Sequence, residues 1–266
     1  MNCTQLSSLA AAHCSGPDAT AFLQAQLSAD IEALESGETT FACYCSARGQ
    51  VLALLLVGRQ SEGFRLIGAA QLLPAILQRL RLYVLRAKVG FAPCSESVYG
   101  IADAPPNEPG LFVPGALKLA YRIAAPGQDC DGAPQAWKAR ELRCGVAWLN
   151  AQTTERFIPQ MLGFETIGAV SFAKGCYPGQ EIVARARYLG KVKRKPLLLA
   201  LEGAAAAEPG SKLAIQCGAE WQDAQVIDTA RSDADRQIVF TVAATDAARP
   251  PTAARIDGQV YRCATI

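Results

Sequence analysis

The chain of 266 residues carries a single histidine, His13, two methionines and few aromatics, 7% in all. No apolar run approaches the ~20 residues that a membrane-spanning helix needs. The longest candidate, residues 51–57, is far too short, which excludes a protein anchored by such a helix. From Met1 to Ala47 there is not one Lys or Arg, while Asp18, Asp30, Glu32, Glu35 and Glu38 make the region acidic. A secretory leader wants a basic start and a mitochondrial presequence wants arginines, so a cytoplasmic protein is expected. Ten cysteines are present, yet no CxxC pair occurs, and Cys43 and Cys45 are only one residue apart. In a reducing cytosol most of these thiols are expected to act as small buried hydrophobes. With one histidine and no paired ligand spacing, no metal site is expected.

Half of the residues are apolar and 19% are charged, an ordinary composition for a compact fold. A net charge of +2 and a pI near 8.0 do not describe a surface built throughout for nucleic acid. The charge is uneven, however: Arg185, Arg187, Lys191, Lys193, Arg194 and Lys195 put six cations into eleven residues. This run reads either as a solvated face or as an anion-binding stretch. A tRNA-binding platform is the less favoured form of the latter, because no aromatic beyond Tyr188 is interleaved.

Along the chain, residues 6–14 read as a strand ending at Gly16-Pro17-Asp18, and Phe22, Leu23, Gln26, Leu27, Asp30, Ile31 and Leu34 follow helical spacing. Strands are expected over 40–46, 50–57 and 64–67, with a turn at Ala47-Arg48-Gly49. A helix is expected over 71–83, a strand over 86–92, a proline-rich loop over 105–110, a strand over 117–124 and a helix over 134–146 bearing Trp137. Short β-like runs at 196–201, 212–216, 224–228, 237–243 and 259–263 then suggest a small barrel, with a low-complexity loop over 202–210.

The chemistry concentrates in residues 174–181, KGCYPGQE. In Tyr177-Pro178-Gly179-Gln180 the Pro and Gly occupy the centre of a type II turn, where Pro fixes a negative φ and Gly supplies a positive one. Gly175 leaves room for a ligand or another backbone, and Glu181 suits the first turn of a helix through Ile182, Val183 and Ala186. Lys174, the helix N-terminus, Arg185 and Arg187 would together favour a thiolate at Cys176, making it nucleophilic or metal-ligating. The alternative is that Cys176 fills a tight corner.

The run Phe172-Ala173-Lys174-Gly175-Cys176-Tyr177-Pro178-Gly179-Gln180-Glu181, continuing to Arg185, resembles the signature of the YgfZ family, relatives of the glycine-cleavage T-protein, an aminomethyltransferase. Weaker matches at Gly16-Pro17-Asp18 with Phe22-Leu23-Gln24, at Phe157-Ile158-Pro159-Gln160 and in the terminal β unit extend it over nearly the whole chain. The resemblance implies an α+β, aminomethyltransferase-like folate-binding fold: two α/β lobes over 1–190 and a C-terminal β-barrel over 191–266. It also implies a folate-binding accessory protein that uses tetrahydrofolate in maintaining iron–sulfur clusters of selected enzymes, tRNA-modifying ones among them. Partners would then be folate and iron–sulfur client or assembly proteins, with a transient cluster at most.

Carried over by position, Cys176 and Lys174 match the family's signature cysteine and lysine, and Trp137 a tryptophan associated with folate contact; an indole can stack on a pterin, but also fills a core. Tyr177, Gln180 and Glu181 of the motif join it as candidate cofactor-binding residues, and Arg185, Arg187 and Lys191 are candidates for the anionic folate tail. Where the aminomethyltransferases carry an acidic pair, this chain has Leu52-Ala53, and Ala147 stands where relatives often have proline. The first departure weighs against the alternative of a folate-dependent one-carbon (aminomethyl) transferase.

Overall fold

The computed structural model describes residues 3–102, 104, 110–115, 117–190, 192–203, 205–233, 235–244 and 250–266. The chain begins with β1 (Cys3–Gln5), β2 (Leu9–Ser15), α1 (Ala19–Gln26), β3 (Thr39–Cys45), β4 (Val51–Gln60) and β5 (Gly63–Ala69). It continues through α2 (Leu73–Arg81), β6 (Gly90–Pro93), β7 (Ser97–Ile101), β8 (Leu111–Phe112), β9 (Tyr121–Ala124) and α3 (Pro134–Arg143). After a short 3-10 turn at Pro159–Leu162 comes α4 (Gln180–Tyr188). The six last strands are β10 (Lys195–Glu202), β11 (Lys212–Cys217), β12 (Glu220–Asp233), β13 (Arg236–Ala243), β14 (Ala253–Ile256) and β15 (Gln259–Thr265).

The five-stranded antiparallel sheet has the order β3-β4-β5-β2-β6. Its strand β4 is buried on both faces from Val51 to Val57, which is why the sequence there is a continuous apolar run instead of an alternation. Leu73, Ile76, Leu77 and Leu80 of α2 belong to the same core, as do residues of the later lobe, where Trp148 meets Phe41 edge-on at 5.9 Å. A second, four-stranded sheet runs β1-β7-β9-β8. The last six strands close a barrel in the order β10-β13-β12-β11-β14-β15, filled by residues such as Leu199, Leu201, Ile215, Val226 and Val239. The strand period of two sends Ile238, Phe240 and Val242 outward, into the main core. The α+β class with a terminal barrel therefore stands.

Several expectations change. The helix placed through Leu34 ends at Gln26, because Leu27 turns extended and bridges Tyr44. The Gln24 side chain then accepts the N–H groups of Ile31 and Glu32. The strand expected over 86–92 shrinks to β6, after a turn in which Leu85 takes a φ of 46°. The strand expected over 117–124 starts only at Tyr121. Of the proline-rich loop expected over 105–110, residues 105–109 lie outside the described residues, as do Lys191 and Ala204.

Most cysteines do behave as buried hydrophobes: burial pushes the thiols of Cys14 and Cys45 up to about 12 and raises that of Cys43. Cys94 and Cys144 are half-buried and Cys176 is exposed, while Cys3 and Cys130 are joined by a disulfide across a Cα–Cα distance of 5.0 Å, a pairing that irregular spacing does not reveal. No described helix is long and apolar enough to cross a membrane.

Candidate functional site

The turn at Tyr177-Pro178-Gly179-Gln180 forms as the sequence dictates. Gly179 has φ 80° and ψ 3°, and the Gln180 N–H donates to the Tyr177 carbonyl at 3.2 Å, the geometry of a type II turn. The missing side chain also permits contact. A Cβ at Gly179 would lie 2.4 Å from the Ser46 carbonyl oxygen and 2.6 Å from Gly49 Cα, so the turn nests on the one linking β3 to β4. Helix α4 starts there, with Glu181 in its first turn and Arg185 and Arg187 in its last, each charge complementing the helix dipole.

Cys176 is exposed, and its flanking anchors are not. Lys174 is only 7% exposed; its ammonium donates to the Leu27 carbonyl at 2.6 Å and to the Gln24 carbonyl, and lies 5.3 Å from the centre of the Tyr177 ring. Burial pulls the Lys174 amine down to about 8, partly opposed by Asp30, Glu32 and Cys176. Tyr177 is buried too, and burial, with the neighbouring Cys45 and Cys43, raises its phenol. The preceding strap is stitched down: Ser28 Oγ donates to the Ala169 carbonyl at 2.6 Å and accepts the Cys43 N–H at 2.8 Å, and the Ser171 N–H donates to the Ser28 carbonyl at 2.8 Å. Gly175 is different from Gly179. No atom of the described residues lies within 4 Å of where its Cβ would stand, so the close approach expected there is not made by them.

The other candidates separate. Gln180 is half-buried at the start of α4, and Glu181 and Arg185 are exposed. Arg187 pairs with Glu165 at 3.3 Å and covers the Phe172 ring at 5.0 Å. Lys193, Arg194 and Lys195 are exposed. Trp137 sits elsewhere, on α3. Its ring is 4% exposed, a Cβ at Gly100 would touch it at 2.4 Å, and Tyr121 meets it edge-on at 5.6 Å. The indole N–H is buried with no acceptor among the described residues. Leu52 and Ala53, the departure from the acidic pair, are buried core, as is Ala147.

Two features escaped the sequence. Gln160 is buried and its Nε2 donates to the Val183 carbonyl at 2.9 Å, clamping α4 from the 3-10 turn; the only sequence signal was the Phe157-Ile158-Pro159-Gln160 match. The second is a buried polar group between α3 and the barrel. Glu141 accepts from Tyr121 at 2.8 Å and from the Trp148 indole at 2.9 Å, while Lys138 pairs with Asp228 at 2.6 Å. Burial raises both carboxyls, Glu141 and Asp228, against the pull of Lys138.

No protein-family model matches the chain. A protein of Haemophilus influenzae (strain ATCC 51907 / DSM 11121 / KW20 / Rd), described only as uncharacterized, is 32% identical over 222 residues, 81% of this chain and 79% of its own. The tRNA-modifying protein YgfZ of Cronobacter sakazakii (strain ATCC BAA-894) is 28% identical over 242 residues, 78% of this chain and 73% of its own. Among solved structures, glycine cleavage system aminomethyltransferase T from Bartonella henselae matches with a TM-score of 0.74 at 16% identity, over 99% of this chain and 84% of that one. That likeness fixes the fold. Together with the two sequence relatives and the cysteine turn, it leads to one assignment: the chain belongs to the YgfZ family.

Proposed function

We propose that this protein is a folate-binding accessory protein that acts through Cys176 in maintaining the iron–sulfur clusters of selected enzymes, tRNA-modifying ones included. The carrying observation is how the sulfur is presented: Cys176 is the one exposed free cysteine among the described residues, held between two buried anchors. The sequence relative called tRNA-modifying protein supports the link to tRNA enzymes, and the aminomethyltransferase-like fold supports a folate site.

The residues fit folate in part. Arg185 and the exposed cations at 193–195 suit an anionic glutamate tail, and the unpartnered indole N–H of Trp137 is a donor that a bound heterocycle would satisfy. The Trp137 ring faces the core, however, so stacking on it is not part of the reading. Bound folate would supply a carrier for one-carbon units. Among the described residues no three His, Cys, Asp or Glu side chains converge to hold a metal, so any cluster is cargo for which a partner supplies further ligands.

The test is cluster transfer to an apo client under argon. Wild-type protein should transfer and Cys176→Ser should not; undiminished transfer by the variant removes the thiol from the mechanism. A second reading, aminomethyl transfer, is favoured by the fold alone and opposed by the apolar burial of Leu52 and Ala53. Formation of methylene-tetrahydrofolate from a methylated amine donor would establish it.

A further inference from the structure

Helix α1 ends without a basic residue in its last turn, leaving its final carbonyls to find donors elsewhere. They find Lys174, 150 residues away from Gln24 in sequence and 147 from Leu27. Lysine is rarely this buried unless its protons are used, and here they are directed at two backbone oxygens. Leu27 is also the residue that bridges Tyr44 of β3, so the Lys174 contact ties the strap before Cys176 to the junction of α1 with the edge of the five-stranded sheet. On the far side of the sulfur, Tyr177 is buried and Gly179 rests on the backbone of Ser46 and Gly49. Gly175 and Cys176 are the exposed pair between these supports.

We infer that Lys174 is a positioning residue for Cys176: it caps the C-terminus of α1 from a distant strap and thereby fixes where the sulfur stands, in place of acting as the cation that ionises the thiol. The inference rests on the reading of Cys176 as the working group, and its geometry is independent of which cargo that group handles. Even a neutral lysine amine keeps two N–H donors, enough for both carbonyls. Charge is therefore not what the arrangement requires.

The test compares wild type with Lys174→Met, which removes the donors, and Lys174→Gln, which is neutral yet keeps an amide donor. Two readouts are followed by peptide mass spectrometry: hydrogen exchange, and the pH dependence of Cys176 alkylation by iodoacetamide. Lys174→Met should exchange about tenfold faster or more at residues 27–28 and 175–177, with Lys174→Gln between it and wild type. The alkylation midpoint should move by less than about 0.3 pH unit in both variants. A midpoint that rises by about one unit in both variants with exchange unchanged would show the lysine to be an activating cation and overturn the proposal. Unchanged exchange and unchanged midpoint would overturn it as well. Should Lys174→Met fail to fold, the Lys174→Gln comparison carries the same decision. Neither readout uses cluster transfer, so a failure here is separate from the Cys176→Ser result.

Discussion

Gly175 and Gly179 flank the same turn under opposite constraints. At Gly179 a side chain would meet backbone on two sides and would have to hold a φ of 80°, so Gly179→Ala is expected to cost at least ~2 kcal/mol, read from the denaturant midpoint. Gly175→Ala meets no atom of the described residues and should leave that midpoint within ~0.5 kcal/mol of wild type. If the small residue there serves an incoming partner, the same variant loses cluster transfer while remaining as stable. Lys174 gives a pH signature. Its folded value of about 8 lies below the ordinary 10.5, so between those limits the unfolded chain binds more protons and stability rises with pH. Wild type should thus gain on Lys174→Met between about pH 7.5 and about pH 10 in matched denaturation curves, and a relative loss would contradict the buried amine.

Among elements, α3 and β12 are joined by an ion pair in which Asp228 is buried and Lys138 half-buried. Lys138→Met would strand Asp228 in the interior and is expected to cost ~3–5 kcal/mol, whereas adding Asp228→Asn should recover much of it; additive losses in the denaturant midpoints would refute the coupling. What could be read in advance at this scale follows how local the determinants are. The hairpin of β3 and β4 and the turn at Pro178-Gly179 are written in neighbouring residues, by a long apolar run and by two fixed backbone preferences. The end of α1 is not, because the helical spacing continues to Leu34 while the stop comes from Tyr44 across a bridge. Strands β1, β8 and β14 have two to four residues each, too few to show a period. For the site, the motif announced the cysteine and the turn. That Lys174 points away toward Gln24 and Leu27, that Arg187 is occupied by Glu165, and that the Trp137 ring faces Gly100 are long-range facts without local signals.

At the scale of the whole molecule, the Cys3–Cys130 bond stands against the expectation of a reducing home, where such bonds are uncommon. Its reduction should lower the unfolding free energy by ~2–4 kcal/mol, the usual worth of a long-loop crosslink, and Cys3→Ser should make the protein indifferent to reductant. A reduced wild type as stable as the oxidised one would mean that the first sheet holds β1 without covalent help. The bond also sorts the chain into two mechanical classes. Its ring contains both open sheets, whereas the cysteine turn, α4 and the barrel lie outside it. Stretched by its termini in a force experiment, the oxidised molecule would pay out its C-terminal half and then stop, hiding the 127-residue span, roughly 450 Å of contour, until a reductant releases it.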